Sequence, residues 1–194
     1  MSPILDSIGS VKAFGWGKIL SSTAFESIAS VTVGSGGASN VEFTSIPGTY
    51  THLQIRYIAR GTSDSETANG GIYFKFNNNF LTASHRLHGN GSAAAADASS
   101  GGLSTGSSMG FITGSSANSS IFGVGIVDIL DYTNTNKNTT LRNLSGDDLN
   151  GSGFISLVSA FWNNTAAITS ISMEKKDAIG GFAQYSQFAL YGCK

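Results

Sequence analysis

The chain has 194 residues, enough for one sizeable core, and all-β sandwiches of this length usually form one domain. Charged residues make up 12 % of it, about half the share of an average soluble domain, and the net charge is −1, so there is no global basic field to draw in nucleic acid or an anionic membrane. Aromatic and β-branched residues are plentiful, which excludes a disordered composition. A low-charge surface rich in Ser, Thr and Asn suits packing against copies of itself or against neutral ligands. No run approaches the ~18 apolar residues needed to cross a bilayer, and the N-terminus lacks the basic segment and apolar stretch of a secretory signal. Cys193 is the only cysteine. It cannot form an intramolecular disulfide or contribute to a cysteine zinc cluster, and it reads as a free thiol.

The first residues follow a helical pattern. Ser2-Pro3 offers an N-cap with proline at the first helical position, and Asp6 lies in the first turn where the helix dipole favours it. Ile4, Ile8 and Val11 recur at helical spacing, Gly9 weakens the helix, and Phe14-Gly15-Trp16-Gly17 ends it. Residues 1–24 are therefore expected to form a short helical attachment arm, with Ile4, Ile8, Val11, Phe14 and Trp16 as its docking surface. The competing reading is an arm that folds back on its own domain.

From Ser27 onward the period becomes two. Val31 and Val33 alternate with Thr32, and Val41, Phe43 and Ser45 alternate with Glu42 and Thr44. Between residues 50 and 60, Leu53, Ile55, Tyr57 and Ala59 share one face, and His52, Gln54, Arg56 and Arg60 the other. Ile72, Phe74 and Phe76 repeat the alternation, and Asn77-Asn78-Asn79 is a loop. Residues 89–120 are low in complexity and read as an extended surface loop with one short strand near residues 109–113. Strands resume over residues 121–132, 139–144, 154–162, 167–173 and 182–191. About nine or ten short strands with polar turns predict an all-β, two-sheet antiparallel sandwich, jelly-roll-like, over residues 25–194. Leu53, Ile55, Phe74, Val127, Ile129, Leu157, Phe188 and Leu190 are its expected core.

No catalytic pattern emerges. His85 and His88 are three apart, and so are Asp128 and Asp131; on a strand each pair faces opposite sides, so neither converges on a metal or a scissile bond. Gly146-Asp147-Asp148-Leu149-Asn150-Gly151 partly resembles a calcium loop. Gly146 occupies the first-ligand position and Leu157 that of the closing glutamate, so it fails as one; a turn between two strands explains the same residues, and a looser oxygen site is the alternative. Phosphate-binding and nucleophile-elbow motifs are missing. No catalytic, cofactor or metal residue is assigned.

The run Ile46-Pro47-Gly48-Thr49-Tyr50-Thr51-His52-Leu53-Gln54-Ile55-Arg56 resembles small virion structural proteins of tailed bacteriophages, including phages of cyanobacteria. So do Asp128-Ile129-Leu130-Asp131-Tyr132, Thr135-Asn136-Lys137, Leu144-Ser145-Gly146, the segment from Trp162 to Thr169, and the terminal Phe188-Ala189-Leu190-Tyr191-Gly192. The likeness covers residues 25–194, and the opening residues 6–17 resemble the start of such proteins. It implies a non-enzymatic protein displayed on the virion, made in the cytoplasm of the bacterial host and working as a homotrimer. Its other partners would be virion proteins gripped by the arm and, in a receptor-binding role, a host surface glycan. No cofactor, nucleic acid or membrane insertion is implied. A tail-fibre role, towards which the family's similarity to tail-associated proteins points, competes with head decoration; the lack of a fibre shaft favours decoration or a very short fibre. A carbohydrate-binding module would instead need a coplanar aromatic platform, and a hydrolase would need His52, His85 or His88 to meet a carboxylate.

Overall fold

The computed structural model describes residues 24–63, 69–81, 83–90, 93–101, 108–150, 152–175 and 180–194; at residue 69 and over 83–85, 88–90 and 93–101 it describes the backbone alone. The helical arm expected over residues 1–24, with Ile4, Ile8, Val11, Phe14 and Trp16, lies outside the described residues up to residue 23.

Thirteen strands and no helix occur among the described residues. In chain order they are β1 (Phe25–Thr32), β2 (Asn40–Phe43), β3 (His52–Ala59), β4 (Asn69–Phe76), β5 (Asn79–Phe80), β6 (Ala83–Asn90) and β7 (Ala93–Gly101). There follow β8 (Gly110–Thr113), β9 (Gly123–Ile129), β10 (Thr139–Asp148), β11 (Gly153–Trp162), β12 (Ile171–Lys175) and β13 (Gln187–Cys193). A long sheet has the order β1-β13-β3-β9-β10-β11-β6-β7; a short one has β2-β12-β4-β5, with β8 also paired to β4. Every ladder is antiparallel.

Period-two patterning builds the core between the sheets. Leu53, Ile55, Val127, Leu141 and Val158 from the long sheet meet Phe43, Phe74, Phe76 and Met173 from the short one in a single buried cluster. Two apolar inner faces buried against each other are what hold such a sandwich together. Trp162 meets Phe76 edge-on at 5.9 Å, and Phe188 lies 6.0 Å from Tyr57 and 4.7 Å from Phe182. Asn77 and Asn78, with φ of 48° and 63°, form the two-residue turn into β5, where two left-handed residues match the strand twist. The Asn77 side chain then fixes the approach to β12, donating to Ala167 O at 2.8 Å and accepting from Thr169 N at 2.8 Å.

The all-β, two-sheet antiparallel class agrees with the sequence reading, and seven of the eight expected core residues are buried. Leu157 is the exception, 42 % exposed on β11. Both parities of β11 are apolar, and the Leu157↔Leu144 register places Leu157 on the outer face, while Phe154, Val158 and Trp162 turn inward. The loop expected over residues 89–120 is a second correction. The short strand near 109–113 is present as β8, but β6 runs to Asn90 and β7 fills residues 93–101. Strand β7 pairs with β6 at the edge of the long sheet, a position its backbone can hold through one ladder without an alternating apolar face. Of the stretch 167–173 only Ile171 onward is strand, and of 182–191 only Gln187 onward, Phe182 instead making isolated bridges to Ala38 and Gly61.

Candidate functional site

His52 opens β3 and does meet a carboxylate, with Nδ1 3.4 Å from Asp131 Oδ1. The contact does not have hydrolase geometry. Nδ1 accepts the Asp131 backbone N–H at 3.0 Å, so this nitrogen carries no proton for the carboxylate to orient. Asp131 sits just past β9 with φ of 50°, and its hydrogen bond from Lys137 holds its carboxyl below the usual carboxylate range. An ionised, lysine-bound carboxylate at a strand end is a turn fastener. The shallow cavity beside it, about 440 Å³, is lined by Tyr50, Asp131, Thr133, Asn134 and Asn136 among others.

Cys193 pairs with His52 in register on β13. Burial pushes its thiol upward, and Asp128 adds to the shift. A nucleophilic cysteine needs the opposite shift. Asp128 lies on the outer face, bonded by Gln54 at 2.9 Å and Arg142 at 3.1 Å, so it does not converge with Asp131. His85 and His88 both fall within β6, opposite Ser159 and Ser156, at positions of opposite parity.

The acidic stretch over 146–151 is a strand end and hairpin. Asp147 turns inward and accepts from Thr113 Oγ1 at 3.1 Å, while Asp148 is exposed and accepts from Asn150 N at 2.8 Å. Desolvation raises the Asp147 carboxyl above its ordinary value. Two carboxylates on opposite faces do not chelate one ion, and no cluster of three or more metal-ligating side chains occurs among the described residues.

The long sheet carries an unusual outer face. Ile58, Leu87, Val124, Ile126, Leu144, Ile155 and Leu157 are each 42–60 % exposed there. Register gathers them into two adjacent rows. One runs Ile126–Leu144–Leu157–Leu87 across β9, β10, β11 and β6; the other runs Ile58–Val124–Gly146–Ile155. Gly146 leaves a bare spot in the second row, because a Cβ there would lie 2.5 Å from Phe154 O. Along one side runs a polar row of Gln54, Asp128 and Arg142; at the far end of β10 stands Asp148. The outer aromatics Phe25 and Tyr191 lie 5.2 and 5.0 Å from the Arg56 guanidinium, which stacks on both and leaves neither as a bare platform for a sugar.

Sequence reasoning gave Arg60 only an outward place on its strand. Its guanidinium donates to the carbonyls of Ser115, Ala117, Asn118 and Ile121 at 2.6–2.9 Å, shaping the connection from β8 to β9. The apolar outer rows were also missed, although Ile155, Leu157 and Phe161 stand at alternate positions in a stretch whose other parity is apolar too. None of the described residues lies in a helix long and apolar enough to cross a membrane. Comparisons with family models, curated proteins and solved structures return no match.

Proposed function

We propose that the chain is a non-enzymatic structural protein of a tailed-phage virion, displayed on the particle and attached through its N-terminal arm, in a tail-fibre or receptor-binding role. The motif order over residues 25–194, which resembles that family, motivates the reading. The observation that supports it most is the outer face of the long sheet, whose contiguous apolar rows suit contact with other protein surfaces. The described ionisable groups around His52 and Asp131 serve local pairing and assemble no nucleophile with a base.

The test is to locate the chain in intact particles by cryo-electron microscopy, alongside particles assembled with a chain lacking residues 1–20. Density at the tail, and a truncated chain that folds but no longer incorporates, supports the proposal. Density over the capsid lattice replaces the tail role with head decoration, and particles devoid of the chain overturn the virion assignment. Normal incorporation of the truncated chain removes the arm from the account.

A further inference from the structure

We infer that the outer face of the long sheet is covered by a second copy of the same chain, packed about a two-fold axis that lies between the sheets and runs across their strands. The inference stands on the geometry of that face and does not depend on the virion assignment.

A two-fold contact requires a surface complementary to itself. An axis over Gly125, Ser145 and Ser156, which are in register on β9, β10 and β11, meets that requirement. It sets each strand against the same strand of the mate, running antiparallel, so residues equidistant from the axis meet. On β10 Leu144 then faces the bare spot at Gly146, a knob over a gap. On β9 Ile126 faces Val124, and on β11 Leu157 faces Ile155. The next pair outward on β10 is Arg142 against Asp148, both exposed and opposite in charge. Sheets packed face to face stay within about 30° of alignment, so residues this close to the axis remain opposite one another.

The dimensions agree. Each row covers four strands at about 4.8 Å spacing, and the two rows lie about 7 Å apart, giving an apolar field of roughly 19 by 14 Å that Arg56 on β3 bounds at one corner. The full eight-stranded face spans roughly 38 by 25 Å, near the ~800 Å² that each partner contributes to a standard interface. An apolar centre with charges at the margin is the usual anatomy of such a contact. A three-fold assembly, by contrast, needs two different patches, which this self-matching face does not supply.

Arg142 and Asp148 are six residues apart on one strand, about 20 Å, and cannot touch within a chain. This permits a charge-swap test on the purified full-length chain by sedimentation equilibrium, with circular dichroism as the folding control. The wild type should be a dimer. Leu144→Asp should raise the dissociation constant by about 100-fold or more with an unchanged spectrum. Arg142→Glu and Asp148→Arg should each weaken the dimer by about tenfold, and the double variant should return to within about threefold of the wild type. In both Arg142→Glu variants the new carboxylate stays beside Asp128, so rescue reports the contact between chains alone. A wild type that stays monomeric at its highest soluble concentration overturns the inference. So does a trimer indifferent to Leu144→Asp, or a dimer lost on removing residues 1–23 but retained in Leu144→Asp. A double variant that fails to rescue overturns the two-fold pairing.

Discussion

Strands β9, β10 and β11 carry large apolar side chains on both faces, yet the faces meet different fates. Inward, Val127, Ile129, Leu141, Val158 and Trp162 are at most 2 % exposed; outward, Val124, Ile126, Leu144, Ile155 and Leu157 are at least 42 % exposed. The inner face also takes the polar residues Asn143, Ser145 and Ser156. Two of them are placed by β8 and by Met109 just before it, where the edge away from β4 would otherwise hold unpaired backbone groups. Asn143 donates to Met109 O at 2.7 Å, Ser145 Oγ accepts from Phe111 N at 3.2 Å, and the Tyr57 hydroxyl donates to Phe111 O at 3.2 Å. Burial on these strands is therefore decided by what lies opposite, and hydropathy alone does not separate the faces.

Breaking the inner face should cost most. Phe188→Ala empties the space between Tyr57 and Phe182 and should lower stability by about 3–5 kcal/mol, read from urea unfolding. Asn143→Ala leaves the Met109 carbonyl buried without its donor and should cost about 1–3 kcal/mol in the same assay. Leu157→Ala on the outer face should change the unfolding free energy of the monomer by no more than about 0.5 kcal/mol.

The weakest of these effects is read through pH. The Asp147 carboxyl is raised in the folded chain, so the native state binds the extra proton and stability falls as pH rises from the unfolded aspartate value through the folded one. Asp147→Asn should flatten that slope, seen as a melting-temperature difference from the wild type that widens over this window. Asp131 and Glu26 act oppositely. Lys137 and Lys194 hold them low, so their contributions are present above the unfolded value and fade as pH falls through the folded ones.

Much of the inner face was legible in the sequence. The alternation Leu53, Ile55, Tyr57 against Gln54 and Arg56 fixed the face of β3, and its register with β9 and β13 carried the pattern to neighbouring strands. Leu157 was not legible, because Phe154 to Trp162 is apolar at both parities and only pairing with Leu144 chooses between them. Strand β7 was hidden for another reason. Its Ala- and Ser-rich residues carry little side-chain signal, and its place depends on the β6 ladder. The His52–Asp131 contact arises at a left-handed residue two positions past the end of β9, beyond the reach of strand periodicity.

Leu157 and Val158 are adjacent on one strand and face opposite ways, one 42 % exposed and the other fully buried. The most direct measurement is a paired one: Leu157→Asp and Val158→Asp, each followed by circular dichroism and sedimentation equilibrium. Val158→Asp is expected to destroy the folded signal, since it buries an unpaired charge, and Leu157→Asp to yield a folded monomer from a dimeric wild type. A Leu157→Asp chain that unfolds, or one that remains as associated as the wild type, would contradict this expectation.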